Sequence, residues 1–511
     1  MALNDITFIK GQGGLGRPLA GEDYVSGLLF YSGTLPSGFS SSNRIKQVFS
    51  VQDAENLGIT SDSHDATAAV FTLLVTNKGT DGDTLNIKVS EINATVDLGT
   101  YTKVSGDSSV GAVATAIAAV INAGTYSHGY SATVSTATVS ISCPKKLGVF
   151  LNTGTPVTVT LSGGATIAYT LTQPASATTG VASQIDILHY HVSEFFRIQP
   201  KGELYVGVYA VPGSYTFTEI TTMQNFANGR IRQIGVLKDT GSTFSSGNLT
   251  TIHTEIVTNC DANHKPLSAL YAADLSGTSD LTTLTNLNTL SANKASAVIS
   301  QDGAGKGWYL WKATGKSITT LGACLGAVSL AAVSDDIAWV GKFNISNGVE
   351  CDTLAFANGV ALTSLSQGTL NLLDNYRYIF LIKYVGVSGS YFNDSHCAIV
   401  ETSDYAYIEN NRTIDKAIRG IYSSVLPALN SPLVLNADGT LTDETIAYFT
   451  SLAELNLTQM IRDSELSAEK VTIDATQNVL STNTLVIAVQ LLPIGVARNI
   501  TVKIAFTTKI Q

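Results

Sequence analysis

Between residues 182 and 400 the apolar pattern alternates between short continuous runs and a 3.6-residue repeat. The run YVGVYAV at 205–211 is apolar throughout and is followed by helical spacing over 218–228. A second run at 231–237 precedes helical spacing over 249–262, runs at 267–272 and 297–300 follow, and 319–332 reads as an apolar helix. Strands that are apolar on both faces must be covered on both faces, and helices between them supply the cover. The rhythm therefore predicts an α/β core with a mainly parallel or mixed sheet. The run YVSGLLFY at 24–31 reads as another buried strand. Residues 43–57 have helical spacing through Ile45, Val48, Phe49 and Ala54, closing at Gly58.

Residues 62–180 change character: charge is sparse, Thr and Gly dominate, and short alternating runs recur. Strands are expected at 71–75, 84–89, 130–134, 138–142, 157–161 and 167–171, with one helix at 110–123. Asp81-Gly82 and Gly163-Gly164 punctuate the runs as turns. With α/β pattern on both sides, this mostly-β module is expected to be an insertion. The domain reading is an N-terminal arm at 1–20, a discontinuous α/β core at 21–60 and 182–400, the inserted domain at 62–180, a C-terminal domain at 401–483, and C-terminal strands at 484–511.

Residues 403–463 read as two helices. Ser403 is placed to cap the first, whose Ile408, Ile414, Ile418, Ile421 and Val425 form one face ending before Pro427. The second begins at Thr442-Asp443-Glu444, acidic as a first turn prefers, and runs through Ile446, Phe449, Ala453 and Met460. Strands are then expected at 468–475, 484–492 and 499–507, the last two around a Pro493-Ile494-Gly495 break. In the final strand Ile500, Val502, Ile504 and Phe506 fall on one face, and Thr501, Lys503 and Ala505 on the other. Such a strand needs a neighbour, either within its own domain or in another chain.

Charged residues make up only 14% of the 511, the net charge is −10, and Lys and Arg are scattered singly. This excludes a nucleic-acid groove or anionic-membrane partner from the reading. It suits a protein whose surface is covered by copies of itself, since mixed surface charge is what keeps monomers apart. No apolar run is long enough for a membrane span, and the first ten residues lack the pattern of a signal peptide. Five widely spaced cysteines, none in C-x-x-C spacing, fit free thiols in a reducing compartment.

No catalytic, metal-binding or cofactor-binding residue is assigned. Gly11-Gln12-Gly13-Gly14-Leu15-Gly16 has the spelling of a dinucleotide fingerprint, but Arg17-Pro18 does not open the helix that would receive a pyrophosphate. A glycine-hinged arm fits better. Gly303-Ala304-Gly305-Lys306-Gly307 fails the phosphate-loop spacing and reads as a turn between Ser300 and Trp308. His189 and His191, two apart on a helix, point to different faces. Asp335-Asp336 and Asp404 with Glu409 read as caps and salt bridges rather than a catalytic pair. Trp308, Tyr309 and Trp311 fit either an interface anchor or core packing. Nothing points to an enzyme.

Three stretches carry a resemblance: Tyr391-Phe392-Asn393-Asp394 with Ser403-Asp404-Tyr405 and 412–417; Val471-Thr472-Ile473-Asp474 through 485–489; and 493–504, PIGVARNITVKI. In that order they resemble the sheath proteins of contractile phage tails and related injection machines. The resemblance implies an α/β (α+β) sheath-type core with a mixed sheet, the inserted mostly-β domain on the outside, and extended N- and C-terminal β-strand arms. It implies a virion structural protein, or a subunit of a bacterial cytoplasmic contractile particle, made in the host cytoplasm. Subunits would polymerise as stacked hexameric rings around a tail tube, contracting to drive the tube through an envelope. Partners would be further copies, the tail tube protein, and baseplate and tail terminator proteins. Obligate interfaces of this kind run above ~2,000 Å². The arms implied are Ile6 and Phe8 at one end and Ile500, Val502, Ile504 and Phe506 at the other. The hinges are Gly11, Gly13, Gly14 and Gly16, with Pro493 and Gly495. The tube-facing helix carries Asp443, Glu444 and Arg462. The alternatives are another self-assembling tail, baseplate or capsid component, or an adhesin-like surface protein binding through Tyr126, Tyr130 and Tyr169 of the β-module.

Overall fold

The computed structural model describes residues 22–238 and 244–506. Its centre is a seven-stranded sheet in the order Tyr378–Ile379, Ala295–Val298, Ser268–Ala272, Gln233–Lys238, Val25–Tyr31, Glu203–Tyr209, Ile45–Val48. All neighbours are parallel except the Ile45–Val48 edge, which runs antiparallel to Glu203–Tyr209. Because successive side chains in a strand point to opposite faces, Val25–Tyr31 divides between two cores. Leu28 and Phe30 pack with helices Ile185–Ile198 and Leu321–Leu330, while Val25, Leu29 and Tyr31 pack toward Glu219–Phe226 and Gly247–Glu255. The continuous apolar runs are thus explained by burial on both faces. The helices Ile185–Ile198 and Leu321–Leu330 approach through glycine: a Cβ on Gly322 would land on the His191 backbone, and one on Gly326 would lie 2.8 Å from the Phe195 carbonyl oxygen.

Two elements differ from the sequence reading. Residues 45–48 form a short edge strand rather than the start of a helix, and only Val51–Asn56 is helical, capped by Ser50, which accepts from the Asp53 N–H. A four-residue edge strand leaves too little pattern to separate period 2 from period 3.6. Gly58 does close this segment with a φ of +81°. The helix expected from Ser403 begins instead at Ile408, with Tyr407 before it.

Between the edge strand and helix Ile185–Ile198 the chain builds two antiparallel sheets. One has the order Ser131–Ser135, Thr138–Ser142, Val70–Lys78, Ile167–Thr172, and the other Thr95–Thr102, Thr84–Ser90, Val157–Leu161. Helix Val110–Ala123 joins their core through Val113, Ile117 and Ile121. The entry and exit of this stretch are bridged to each other, Thr67 to Val181 and Val70 to Thr178. Strand 95–102 escaped the sequence reading because Asp97 and Gly99 interrupt its alternation.

The C-terminal portion pairs helix Ile408–Val425 with helix Asp443–Arg462, whose N-cap is Thr442, accepting from the Thr445 N–H. A two-stranded hairpin, Leu466–Thr472 with Ala488–Pro493, follows. Residues 494–506 form no helix or strand, so the strand expected at 499–507 is not formed over its described part in the single chain, where no neighbouring strand supplies the ladder hydrogen bonds. Among the described residues no helix is long and apolar enough to cross a membrane.

Candidate assembly surfaces

Helix Ile408–Val425 buries more than its isoleucines suggest: Ile408 is in the core and Ile421 packs beside Leu457 and Met460, but a polar face is buried as well. Ile418 is exposed, while Glu409, Asn411, Arg412, Asp415, Lys416 and Arg419 are buried. Its polar face has charged partners from distant parts of the chain. The Lys416 ammonium lies 2.7 Å from Asp23 and 2.6 Å from Glu465, and Arg419 lies 3.0 Å from Asp23. Asp415 holds Lys294 at 2.6 Å, and Asp261 meets the same lysine at 3.3 Å. Arg412 donates to the carbonyls of Ala331 and Ala332, just past the end of helix Leu321–Leu330. Buried charges persist only when paired, so this face fixes the helix to one register against the sheet. Burial pulls Lys294 down, but Asp415 and Asp261 more than offset it and hold the ammonium above its ordinary range. Asp261 itself is pushed up to about 6 by burial, with Lys294 opposing.

The hairpin presents two strands with open outer edges, and beyond it the chain runs along the body. Ile494, Val496 and Arg498 are half-buried, and Gly495, Ala497 and every residue from 499 to 506 are exposed. Ile500 is 80% exposed, Val502 71%, Ile504 89% and Phe506 110%. Nothing in the described residues pairs with this row. Burying four such side chains in an assembly would contribute roughly 1.5–3 kcal/mol each.

Arg498 is the one charged residue between the hairpin and that row. Its Nε lies 3.0 and 3.2 Å from the two oxygens of Asp394. Its Nη2 lies 3.2 Å from Asp336, contacts Glu409, and donates to the Ser395 hydroxyl at 3.4 Å. The guanidinium stacks 3.5 Å above the Tyr407 ring. Burial first, then Glu409 and Asp394, push Asp336 up to about 7 against the pull of Arg498.

Ile6, Phe8, Gly11, Gly13, Gly14 and Gly16 lie outside the described residues. Pro493 ends the hairpin opposite Leu466, and a Cβ on Gly495 would meet nothing within 4 Å. Asp443 and Glu444 in the first turn of their helix and Arg462 in its last turn are all exposed. The Asp336, Asp394 and Glu409 cluster was legible only as scattered acids, because its members and Arg498 are far apart in sequence.

Other candidates resolve into structure. The turn before helix Lys306–Thr314 holds carboxylates where a phosphate loop would hold an anion: Asp302 accepts from the N–H groups of Ala304 and Gly307, and Glu350 from that of Lys306. His189 meets Glu55 at 3.1 Å, and His191 is buried with its pKa pushed down to about 3. Among the described residues no group of His, Cys, Asp and Glu is arranged to hold a metal ion. Tyr130 is buried with its hydroxyl on Glu91, whereas Tyr126 is fully exposed, so these tyrosines do not share one face. Lys312 sits over the half-buried Trp308 and Trp311 rings at 4.7 and 4.3 Å.

These features define a structural class: an α/β protein clamped to a C-terminal helical portion by buried charge, with an apolar alternating row at 500–506 that pairs with nothing among the described residues. The N-terminal domain of DUF2586 matches residues 3–396 and the DUF2586 C-terminal domain matches 404–511, and the chain belongs to this family. No curated protein matches it. Among solved structures, the chain is similar to the helical sheath of the anti-feeding prophage in its contracted state, at 14% identity and TM-score 0.44 over 63% of this chain and 81% of that one. It is similar to the PVC sheath complex of an extracellular contractile injection system in its contracted state, at 13% identity and TM-score 0.41 over 64% and 81%. It is also similar to a sheath tail protein from Desulfitobacterium hafniense, at 10% identity and TM-score 0.36 over 92% and 94%.

Proposed function

We propose that this chain is a structural subunit of a contractile tail sheath, polymerising as stacked hexameric rings around a tail tube and linked by strand addition between subunits. The observation that carries the reading is the row Ile500, Val502, Ile504 and Phe506, alternating, exposed and unpaired among the described residues. An apolar strand pattern left in water is a template for pairing with another strand, and in this reading that strand belongs to a second copy of the chain. The hairpin Leu466–Thr472 with Ala488–Pro493 supplies open edges of the matching kind. The sparse charge of the chain, 14% of residues, favours an extensively covered surface. Head-to-tail contacts that do not close then generate a helical tube. Tube, baseplate and terminator proteins are the further partners of this reading, and residues 62–180 are taken as an outward-facing inserted domain not needed for polymerisation. The helix bearing Asp443, Glu444 and Arg462 is taken as the surface toward the inner tube.

Negative-stain electron microscopy of the purified chain beside one lacking residues 499–511 tests this. Tubes or stacked rings from the full chain, lost on truncation, are expected. Monodisperse particles from both would return the protein to the adhesin-like alternative.

A further inference from the structure

We propose that Asp336, Asp394 and Glu409, roofed by Tyr407, form a receptor built for one arginine side chain, and that Arg498 seated in it is the root of the C-terminal arm. The free arm then begins at Asn499, and its pivot lies after Arg498 rather than at Pro493 and Gly495. This holds for the single chain, whether or not it polymerises.

The three carboxylates come from separate places in the fold: the turn after helix Leu321–Leu330, the turn after strand Tyr391–Phe392, and the first turn of helix Ile408–Val425. Their side chains are 8%, 14% and 3% exposed. Among the described residues Arg498 is their one lysine or arginine partner, and His396 Nδ1 stands 3.9 Å from Asp394. Three buried acids facing one another repel, and burial adds a desolvation cost, so ionised they need a cation among them. The occupant's shape is also specified. Nε serves both oxygens of Asp394 while Nη2 serves Asp336, Glu409 and Ser395. The flat guanidinium lies against the Tyr407 ring at 3.5 Å. An ammonium is a point charge that can neither fork to these acceptors nor stack on that ring in the same way.

Burial changes at this residue. Ile494 and Val496 are half-buried before it, and everything from 499 to 506 is exposed after it. Eight extended residues beyond the anchor reach about 26 Å at roughly 3.3 Å per residue, enough to cross to a neighbouring subunit.

Trypsin reads this directly, because it cuts after both Arg498 and Lys503. Cleavage of the full chain is followed by mass spectrometry, and each bond's rate is divided by its rate in a free peptide of residues 490–506. The expected result is peptide-like cleavage at Lys503 and cleavage at Arg498 suppressed by about tenfold or more, as protection by charge-assisted hydrogen bonds implies. Asp394→Asn with Glu409→Gln should release that suppression, and so should Arg498→Lys, which leaves the receptor intact and keeps a tryptic site. If the acidic variants unfold, Arg498→Lys decides. Equal normalised rates at the two bonds in the unaltered chain, or suppression retained in Arg498→Lys, would overturn the proposal. Tube formation is a separate readout, so an anchored arm on a chain that never polymerises would leave this inference standing and remove the sheath reading.

Discussion

Replacing Lys416 by alanine removes the cation shared by Asp23, in the segment leading into the central sheet, and Glu465, at the entry to the C-terminal hairpin. The ammonium is 2.7 and 2.6 Å from the two carboxylates, and the three side chains are 9%, 16% and 10% exposed. Asp23 keeps Arg419 at 3.0 Å, so the uncompensated charge falls on Glu465. Breaking a buried pair by deleting one partner costs about 3–5 kcal/mol. The residual solvent contact and the surviving Arg419 contact place this case near the low end, ~3 kcal/mol. For a chain with several cores a single unfolding free energy is not defined, so the readout is native-state hydrogen exchange of the amides of helix Ile408–Val425. A loss of ~3 kcal/mol is a fall in protection of roughly a hundredfold. Glu465 is already pushed above the ordinary glutamate range by burial, with Lys416 opposing. With the lysine gone, its pKa rises further. A raised carboxyl binds its proton more tightly in the folded chain than in the unfolded one, so lowering the pH from 7 toward 5 should restore part of the lost protection. Lys416→Met combined with Glu465→Gln should recover most of it at neutral pH. A change below about threefold in Lys416→Ala, or no acid rescue, would refute the idea that this charge pair fixes the helix to the body.

Gly322→Ala should destabilise the α/β core by about 1–3 kcal/mol, since its Cβ would land on the His191 backbone where two helices touch, and native-state hydrogen exchange of the amides of helices Ile185–Ile198 and Leu321–Leu330 would register it. Glu350 is pushed up to about 7 by burial, with Asp302 adding, so its contribution to stability is full below about pH 4.5 and is lost as pH rises through 7; Glu350→Gln should flatten the pH dependence of hydrogen-exchange protection in helix Lys306–Thr314 over that range. Cys143, Cys260, Cys324, Cys351 and Cys397 are all free and buried, so a thiol reagent should label none of them in the native chain and all of them in denaturant.

What the sequence revealed follows from where the energy is local. Strands Thr138–Ser142 and Val157–Leu161 and helix Val110–Ala123 fall where periodicity places them, because their own core selects one face. Helix Ile408–Val425 shows the limit. Its isoleucine repeat pointed to an apolar buried face, of which Ile408 is buried and Ile418 is exposed, but gave no sign that Arg412, Asp415 and Lys416 are buried too, since their partners Ala332, Lys294, Asp23 and Glu465 are supplied by remote segments. Arg498 is a lone arginine among small and apolar residues, and nothing nearby signals that Asp336, Asp394 and Glu409 converge on it. The exposed row from Ile500 to Phe506 was legible because alternation is a local property, whereas the identity of its neighbour is not.

On the sheath reading this row is completed by another copy of the chain, a contact that a cryo-electron microscopy map of the assembled polymer would display. Continuous density for 499–506 is expected to leave one subunit after Arg498 and add as a strand to a sheet of its neighbour. Density for the same residues folded back onto their own subunit, with adjacent subunits joined by side-chain contacts alone, would contradict it.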